Sequence, residues 1–432
     1  MSDYRINRRT LLKGSAALAA ATALPLSAAQ AADGTFGVIA HAVHQTAATK
    51  GPGGDILADW TDGKGLNIDW VTYGVEPLHD QLFREAALQQ GNVHSAFMLN
   101  RFTNDAVIQM FEPLDPYLAK APIDNVDGIS AGMRGIFTFN NALYGIPFRH
   151  ATTGFHYNAD LLAEQGLDGP PKTFEDFIEY AHKLTYTRAD GTKVSGFVTG
   201  GQGAANIMDI VRAYGGDFIT PDLKCVCNEP GMVRGIQLFV DLYQSGAMPK
   251  AWINFTTEDV TTFMQQGRAA MSIDPIDRTN AYNDPKASKF TGKLQVTNLP
   301  AVKELGGKVL PVASTEVWAL VIPKNSPNKD LAWSFIRQLS SPDATIREAM
   351  NGNGPTRSDA YQDPRVQKAF PSWQAAANAV GTARAPLPGF QGSAKVDDLV
   401  RQQVQAAVLK SKTAQQAMDD LKVQVDALLP KA

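Results

Sequence analysis

The sequence predicts a mixed α/β fold built in two lobes. The chain has 432 residues, 44% hydrophobic and 19% charged, an ordinary globular composition that is too long for one compact core. Past the N-terminus, strand-like runs alternate with helix-like runs, the order that gives parallel strands joined by crossover helices. No internal repeat or low-complexity tract interrupts the alternation, so the mixed architecture runs the length of the chain.

The first element is separate from the fold. Asn7-Arg8-Arg9-Thr10-Leu11-Leu12-Lys13 sets a twin arginine before an Ala/Leu-rich stretch from Gly14 to Leu26, and small residues end in Ala29-Gln30-Ala31. Basic, apolar and small-residue regions in this order resemble a twin-arginine export signal. The apolar stretch is too short and alanine-rich for a membrane span, and the A-x-A pattern predicts cleavage near Ala31. The segment 1–31 is therefore read as a signal peptide and the mature protein as periplasmic. Its removal takes away four basic residues and one acid, moving the net charge from −3 to −6.

Three strands follow: Phe36 to His41, Leu66 to Tyr73, and His94 to Leu99. Between the last two, Pro77 and Gly91 bound a segment whose Leu78, Leu82, Phe83 and Ala86 share a helical face. After Pro170-Pro171, Thr173 and Asp176 form a capping-box pattern, with Phe174, Phe177, Ile178 and Ala181 at helical spacing. Further helices are predicted over Pro230 to Ser245 and Thr257 to Gln266. A strand over Val317 to Ile322 leads into a helix over Asn328 to Ser340, and two helices close the chain. The small-residue segment Thr46 to Gly54 reads as an extra loop interrupting the helix after the first strand.

Composition narrows the function. Forty basic and 43 acidic residues are interspersed without long runs, so nucleic acid is not an expected partner. Cys225 and Cys227 are the only cysteines; their spacing misses the C-x-x-C motif and reads as a local loop disulfide or two inert thiols. H-E-x-x-H and P-loop patterns are absent from the sequence, and Gly201 and Gly203 are followed by Asn206 where a dinucleotide fingerprint needs glycine. No enzyme activity and no cofactor are expected.

The ordered segments Leu114-Asp115-Pro116-Tyr117, Leu143-Tyr144-Gly145-Ile146-Pro147, Phe155-His156-Tyr157-Asn158-Ala159-Asp160-Leu161-Leu162 and Pro170-Pro171-Lys172-Thr173-Phe174 resemble the family 1 extracellular solute-binding proteins, which include the maltose-binding type. The likeness continues through Tyr214-Gly215-Gly216-Asp217-Phe218, Gln266-Gly267-Arg268-Ala269-Ala270-Met271, Trp318-Ala319-Leu320-Val321-Ile322-Pro323, Ala332-Trp333-Ser334-Phe335-Ile336 and Gly354-Pro355-Thr356-Arg357. The resemblance implies a two-lobed periplasmic binding protein fold of type II, with three interlobe crossings and ligand in the cleft. It places the first lobe at 33–147 and 298–341 and the second at 148–297 and 342–432. The crossings fall near Pro147 to Thr152, Gln295 to Pro300 and Leu339 to Asp343. It also implies a monomer that captures a small-molecule ligand, a sugar above all, and delivers it to the permease subunits of an ABC transporter.

A polyhydroxylated ligand gives up many hydrogen bonds to water, so its site needs polar groups to replace them. In α/β lobes these collect at the carboxyl ends of strands. That rule and the resemblance select His44, Asn100, His150, Asn206, Asp274, Glu316 and Arg357 as ligand-binding candidates. His41, Gln45, Arg101 and Arg149 lie close by, and Tyr73, Phe97, Phe102 and Trp252 are candidate stacking faces. Tyr157 and Trp333 read as core. Arg101, Arg149 and Arg357 would suit an anion, whereas Asp274 and Glu316 suit hydroxyls or a cation, and the sequence leaves that choice open. The alternatives to a sugar are a metal ion held by His41, His44 and His150, an amine, or an organic anion; a periplasmic enzyme ranks below these. The export reading is checked by replacing Arg8 and Arg9 with lysines: unprocessed precursor should stay in the cytoplasmic fraction, and normal periplasmic processing would refute a twin-arginine route.

Overall fold

A computed structural model describes residues 34–201, 204–220, 222–305, 312–390 and 392–430; the export signal lies outside the described residues. The principal strands are β1 (Thr35–Ala40), β2 (Asn67–Thr72), β3 (Val93–Leu99), β4 (Ile146–Asn158), β5 (Lys193–Val198), β6 (Ala269–Pro275), β7 (Leu294–Thr297) and β8 (Thr315–Val321). The helices that matter below are α1 (Ala42–Thr49), α2 (Val75–Ala86), α3 (Phe174–Lys183), α4 (Ala205–Ala213), α5 (Pro230–Gln244), α6 (Thr257–Gln265), α7 (Lys329–Leu339), α8 (Pro342–Met350), α9 (Ser393–Val408) and α10 (Ala414–Asp426).

The strands join in the order β2-β1-β3-β8-β4-β6-β5, ending on the short strand Tyr186–Thr187, while β7 pairs with β4. β1 runs parallel to β2 and β3, and β5 parallel to β6. These are the predicted crossover units. β4 is the exception in length. Its first stretch, Ile146 to Thr152, pairs antiparallel with β8. From Thr153 onward it pairs with β6, and from Phe155 also with β7.

Apolar side chains separate into two clusters around this strand. One gathers Phe36 through Phe148 with Val317 through Ala344; the other gathers Phe155 through Ala313 with Ala349 through Val425. Leu299, Val302 and Ala313 pack in the second cluster, and the backbone of Ala301 bridges to Thr173.

Helix boundaries follow local chemistry. Thr173 Oγ1 accepts the Asp176 N–H at 3.1 Å while Asp176 accepts the Thr173 N–H, closing the capping box of α3. Phe174, Phe177 and Ala181 are buried. α2 begins two residues before Pro77, which its first turn tolerates because no intrahelical N–H bond is needed there. Leu78 and Leu82 point inward from it.

The reading of Thr46 to Gly54 as an extra loop needs correction. Thr46 to Thr49 complete α1, with Ala47 and Ala48 buried, and the chain turns only over Lys50 to Gly54. Alanine and threonine at these positions form helix because the buried alanines pack on the first cluster. The turn is fastened to α8 and the residue after it. Asn351 Oδ1 accepts the Gly53 N–H at 2.7 Å, and Asn351 Nδ2 donates to Ala47 O and Gly54 O, both at 2.9 Å. Arg347 donates to Gly53 O at 2.8 Å and Asp55 O at 2.7 Å. A Cβ on Gly53 would fall 2.1 Å from Arg347 O, so only glycine permits this approach.

β5 and α3 meet still more closely: a Cβ at Gly196 would lie 1.8 Å from Ala181 O. Gly196→Ala should therefore lower the urea midpoint by an amount worth about 1–3 kcal/mol, and an unchanged midpoint would refute backbone contact between strand and helix.

Candidate functional site

The cleft side of the sheet is where the carboxyl ends of β1 and β3 meet the middle of β4 and the start of β8. Arg101, in the turn after β3, donates to Glu76 at 2.9 Å and lies 3.4 Å from Glu316 Oε1. Its guanidinium also covers the Phe102 ring at 5.2 Å, and Phe102 stacks on His79 at 3.8 Å. Opposite stands Asp397 near the start of α9, whose Oδ1 accepts the Ala204 N–H at 2.7 Å. α9 packs on the Asn100–Phe102 turn, and Asp397 is close enough to Arg101 and Glu316 to act electrostatically on both. Burial pushes the Glu316 and Asp397 carboxyls above their ordinary range, Arg101 pulling against it.

Beside this group, Arg149 on β4 forms an ion pair with Asp277, just past β6, and reaches Asn353 Oδ1 at 3.5 Å. His41 caps α1, its Nδ1 accepting the Val43 N–H at 3.2 Å. Burial, and then the nearby Arg149 charge, lower its pKa, so the ring is neutral at neutral pH.

The other predicted contacts sit differently. His44 is fully buried, its ring stacked on Phe97 at 4.6 Å and edge-on to Trp318 at 4.5 Å. Its Nδ1 accepts the His41 N–H as part of the α1 cap. Asn100 is buried and accepts the Val317 N–H at 2.9 Å, tying the β3 turn to β8. His150 bonds Thr152 at 2.8 Å and the Tyr361 hydroxyl at 2.7 Å; burial drops its pKa to about 4. Each of the three is buried with an internal partner, and His44 Nε2 is buried without a hydrogen bond to the described residues.

Asp274 is 1% exposed, not the solvent-facing group expected. Its Oδ2 accepts from Ser272 and from Tyr282 at 2.9 Å, and burial raises its pKa to about 6. β6 turns this side chain toward α-helical cover, whereas Asp277, three residues on, meets Arg149. Arg357 is also sealed at 0% exposure. It donates to Asp359 at 3.2 Å, Ser340 O at 3.2 Å, Asn125 O at 2.7 Å and Asp124 O at 3.4 Å, a clasp behind the first cluster. Asn206 falls in the first turn of α4; its side chain lies outside what is described. Phe97 and Trp252 are core, Trp252 lying on Phe239 at 5.7 Å. Among the predicted residues whose side chains are described, Glu316 lies in the charged group at the cleft.

Asp277 and Asp397, which lie in the charged group, were not among the sequence candidates. Asp277 carried a usable signal, since it follows a strand end. Asp397 carried none, because an acid near the start of an amphipathic helix is ordinary. Cys225 and Cys227 are buried free thiols 3.4 Å apart in the second cluster. Two open pockets of about 450 and 320 Å³ lie at the outer end of β5, around Lys193, Pro249 and Lys250, away from the charged groups just described.

Residues 45–346 match the bacterial extracellular solute-binding proteins. The chain belongs to this family. Residues 5–25 match the signal sequence of the twin-arginine translocation pathway, so this solute-binding protein is exported to the periplasm. Among curated relatives, a probable amino-acid ABC transporter periplasmic-binding protein of Sinorhizobium fredii is 24% identical over 67% of this chain and 65% of its own length. The erythritol/L-threitol-binding protein of Mycolicibacterium smegmatis is 25% identical over 73% of this chain and 68% of its own. The maltose-bound MalE3 structure of T. maritima superposes with a TM-score of 0.76 at 22% identity, covering 91% of this chain and all of that one. The two-lobed fold of periplasmic sugar-binding proteins is thereby shown. Family and fold are those of transport binding proteins.

The buried groups give opposing pH dependences. Asp274 has its pKa raised above the unfolded value of 3.8, so the native state holds the extra proton and its contribution is present below about pH 4 and lost as pH rises through about 6. His150 and His156, lowered to about 4, contribute in the opposite sense, gaining as pH rises. Asp274→Asn keeps the neutral form and an acceptor for Ser272 and Tyr282, so it should be at least as stable as wild type at pH 7. Between pH 4 and 6 its stability should rise more steeply with pH, which urea melts at several pH values would show. A parallel pair of curves would place Asp274 in water.

Proposed function

We propose that this protein is the periplasmic substrate-binding component of an ABC importer, capturing a sugar or related polar solute between its lobes and delivering it to the permease. The observation that carries the reading is the polar group made by Arg101, Glu316, Arg149, Asp277 and Asp397, drawn from both sides of a sheet whose two halves have separate apolar clusters. Hydrogen bonds from a solute to both sides would make binding energy depend on closure. The named ligands of two relatives, erythritol or L-threitol and maltose, are polyhydroxylated, which suits carboxylates and guanidinium groups as hydrogen-bond partners.

We infer a first lobe from 34–147 together with about 315–359, and a second from about 153–313 with the chain from about 360 onward, since Thr356 to Ser358 bond the Gly128–Ser130 backbone and Tyr361 packs in the second cluster. The packing of Leu299, Val302 and Ala313 with the second cluster favours a second crossing near Ser314 rather than at Gln295 to Pro300. The protein is taken to act as a monomer and without a catalytic step.

A thermal-shift screen over sugars, polyols, amines and divalent metals tests the reading. A solute at 100 times its Kd should add about 2.7 kcal/mol of stability. Glu316→Ala should weaken that solute at least about tenfold, by removing a charged hydrogen-bond partner. Stabilisation by a divalent metal alone, with every organic solute silent, would overturn it.

A further inference from the structure

We propose that the cleft is selective for a hydroxylated solute bearing a cationic amine, with Glu316 and Asp397 as the groups that receive the amine. The inference rests on the solute-binding reading above and adds the charge of the solute.

The argument is one of charge accounting at a single recess. Its two guanidinium groups are already engaged. Arg101 is held by Glu76 at 2.9 Å and Glu316 at 3.4 Å, and it lies over Phe102. Arg149 is taken by Asp277 and steadied by Asn353. Arg357, the third cation that could have served an anion, is sealed behind the first cluster by Asp359 and three carbonyls. His41 is neutral at neutral pH. Setting aside Asp398 and Arg401, which both act on Asp397 and offset each other in an ion pair at 3.0 Å, four carboxylates, Glu76, Glu316, Asp277 and Asp397, face two cations.

The excess is concentrated where a ligand can reach it. Glu76 is largely in water, its side chain 70% exposed, and Asp277 is paired. Glu316 keeps 32% of its side chain accessible, and Asp397 spends one oxygen on Ala204 and has the other free of any bond to the described residues. The two stand on opposite sides of the recess, one on the strand that starts at the crossing, the other on α9. They repel each other, and closure of the lobes removes the water that screens them. A carboxylated solute would add to that repulsion, and a neutral one would leave it in place. An ammonium between them supplies three N–H donors and the missing charge, while the hydroxyls of the same solute can bond Arg101 and Arg149.

Isothermal titration of the mature protein at pH 7.5 with matched probes tests this: glucosamine, glucose and glucuronate, and the open-chain glucamine, sorbitol and gluconate. The amine of each set should bind at least about tenfold tighter than its hydroxyl counterpart, and the carboxylate should bind weakest. In the Glu316→Gln, Asp397→Asn double variant the amine preference should vanish; the wild-type ranking stands as a test should that variant not fold. An uncharged or carboxylated member binding as tightly as the amine overturns the inference and leaves the solute-binding reading intact. Silence of all six probes also overturns it, and if the wider sugar and polyol screen is silent too, the solute-binding reading falls with it.

Discussion

Residues 146–158 form one β-strand that belongs to two cores. Its first stretch is hydrogen-bonded to β8 and its second to β6 and β7, with Phe148 packed in the first apolar cluster and Phe155 in the second. A strand that leaves one core for another must keep every backbone group paired across the gap, because an unpaired buried N–H or C=O costs free energy comparable to a lost hydrogen bond. β8 and β6 hand the strand over between Thr152 and Thr153 without a missing partner. That continuity fixes the place of the recess, since polar groups on neighbouring strands collect where the two cores part.

The same handover explains why so many polar side chains near the crossing are structural. Thr152 bonds Thr315 at 2.8 Å, His150 bonds Thr152 and Tyr361, and His156 bonds the carbonyls of Asp274 and Pro275. These groups hold the strands in register where apolar packing thins. Polarity in the middle of the sheet therefore serves two purposes at once, register between the strands and the charged group beside them.

This double use sets how far the sequence could be read. The strands and helices that were named were legible to within a few residues because their signals are local: a capping box at Thr173, apolar spacing in β2, helical spacing after Pro230; β4, whose pattern changes where it leaves one core for the other, was not named. The family was legible from short segments in a shared order. Ligand contacts were not. The strand-end rule brings Asp274 and Asp277 into view together, but which carboxylate turns inward depends on Tyr282 and Ser272, whose positions are set by tertiary packing. Arg357 was misjudged for the same reason, since nothing beside it in sequence announces the carbonyls of Asp124, Asn125 and Ser340. Asp397 is brought to the cleft by a helix that begins more than 290 residues after Arg101.

The fastening of the Lys50–Gly54 turn to Arg347 and Asn351 has a mechanical meaning. α8 carries Ala344 in the first cluster and Ala349 in the second, so a rotation of one core against the other must take the helix with one of them. Five hydrogen bonds to the first core, through a glycine that admits no side chain, decide which. The helix is clamped at the end of α1, and the chain after it stays with the same core as far as Arg357, whose guanidinium is held by Asp124, Asn125 and Ser340. Asn353 touches Arg149 and donates to Phe148 O at 2.9 Å, so a solute that pulls on Arg149 pulls on the segment this clamp holds.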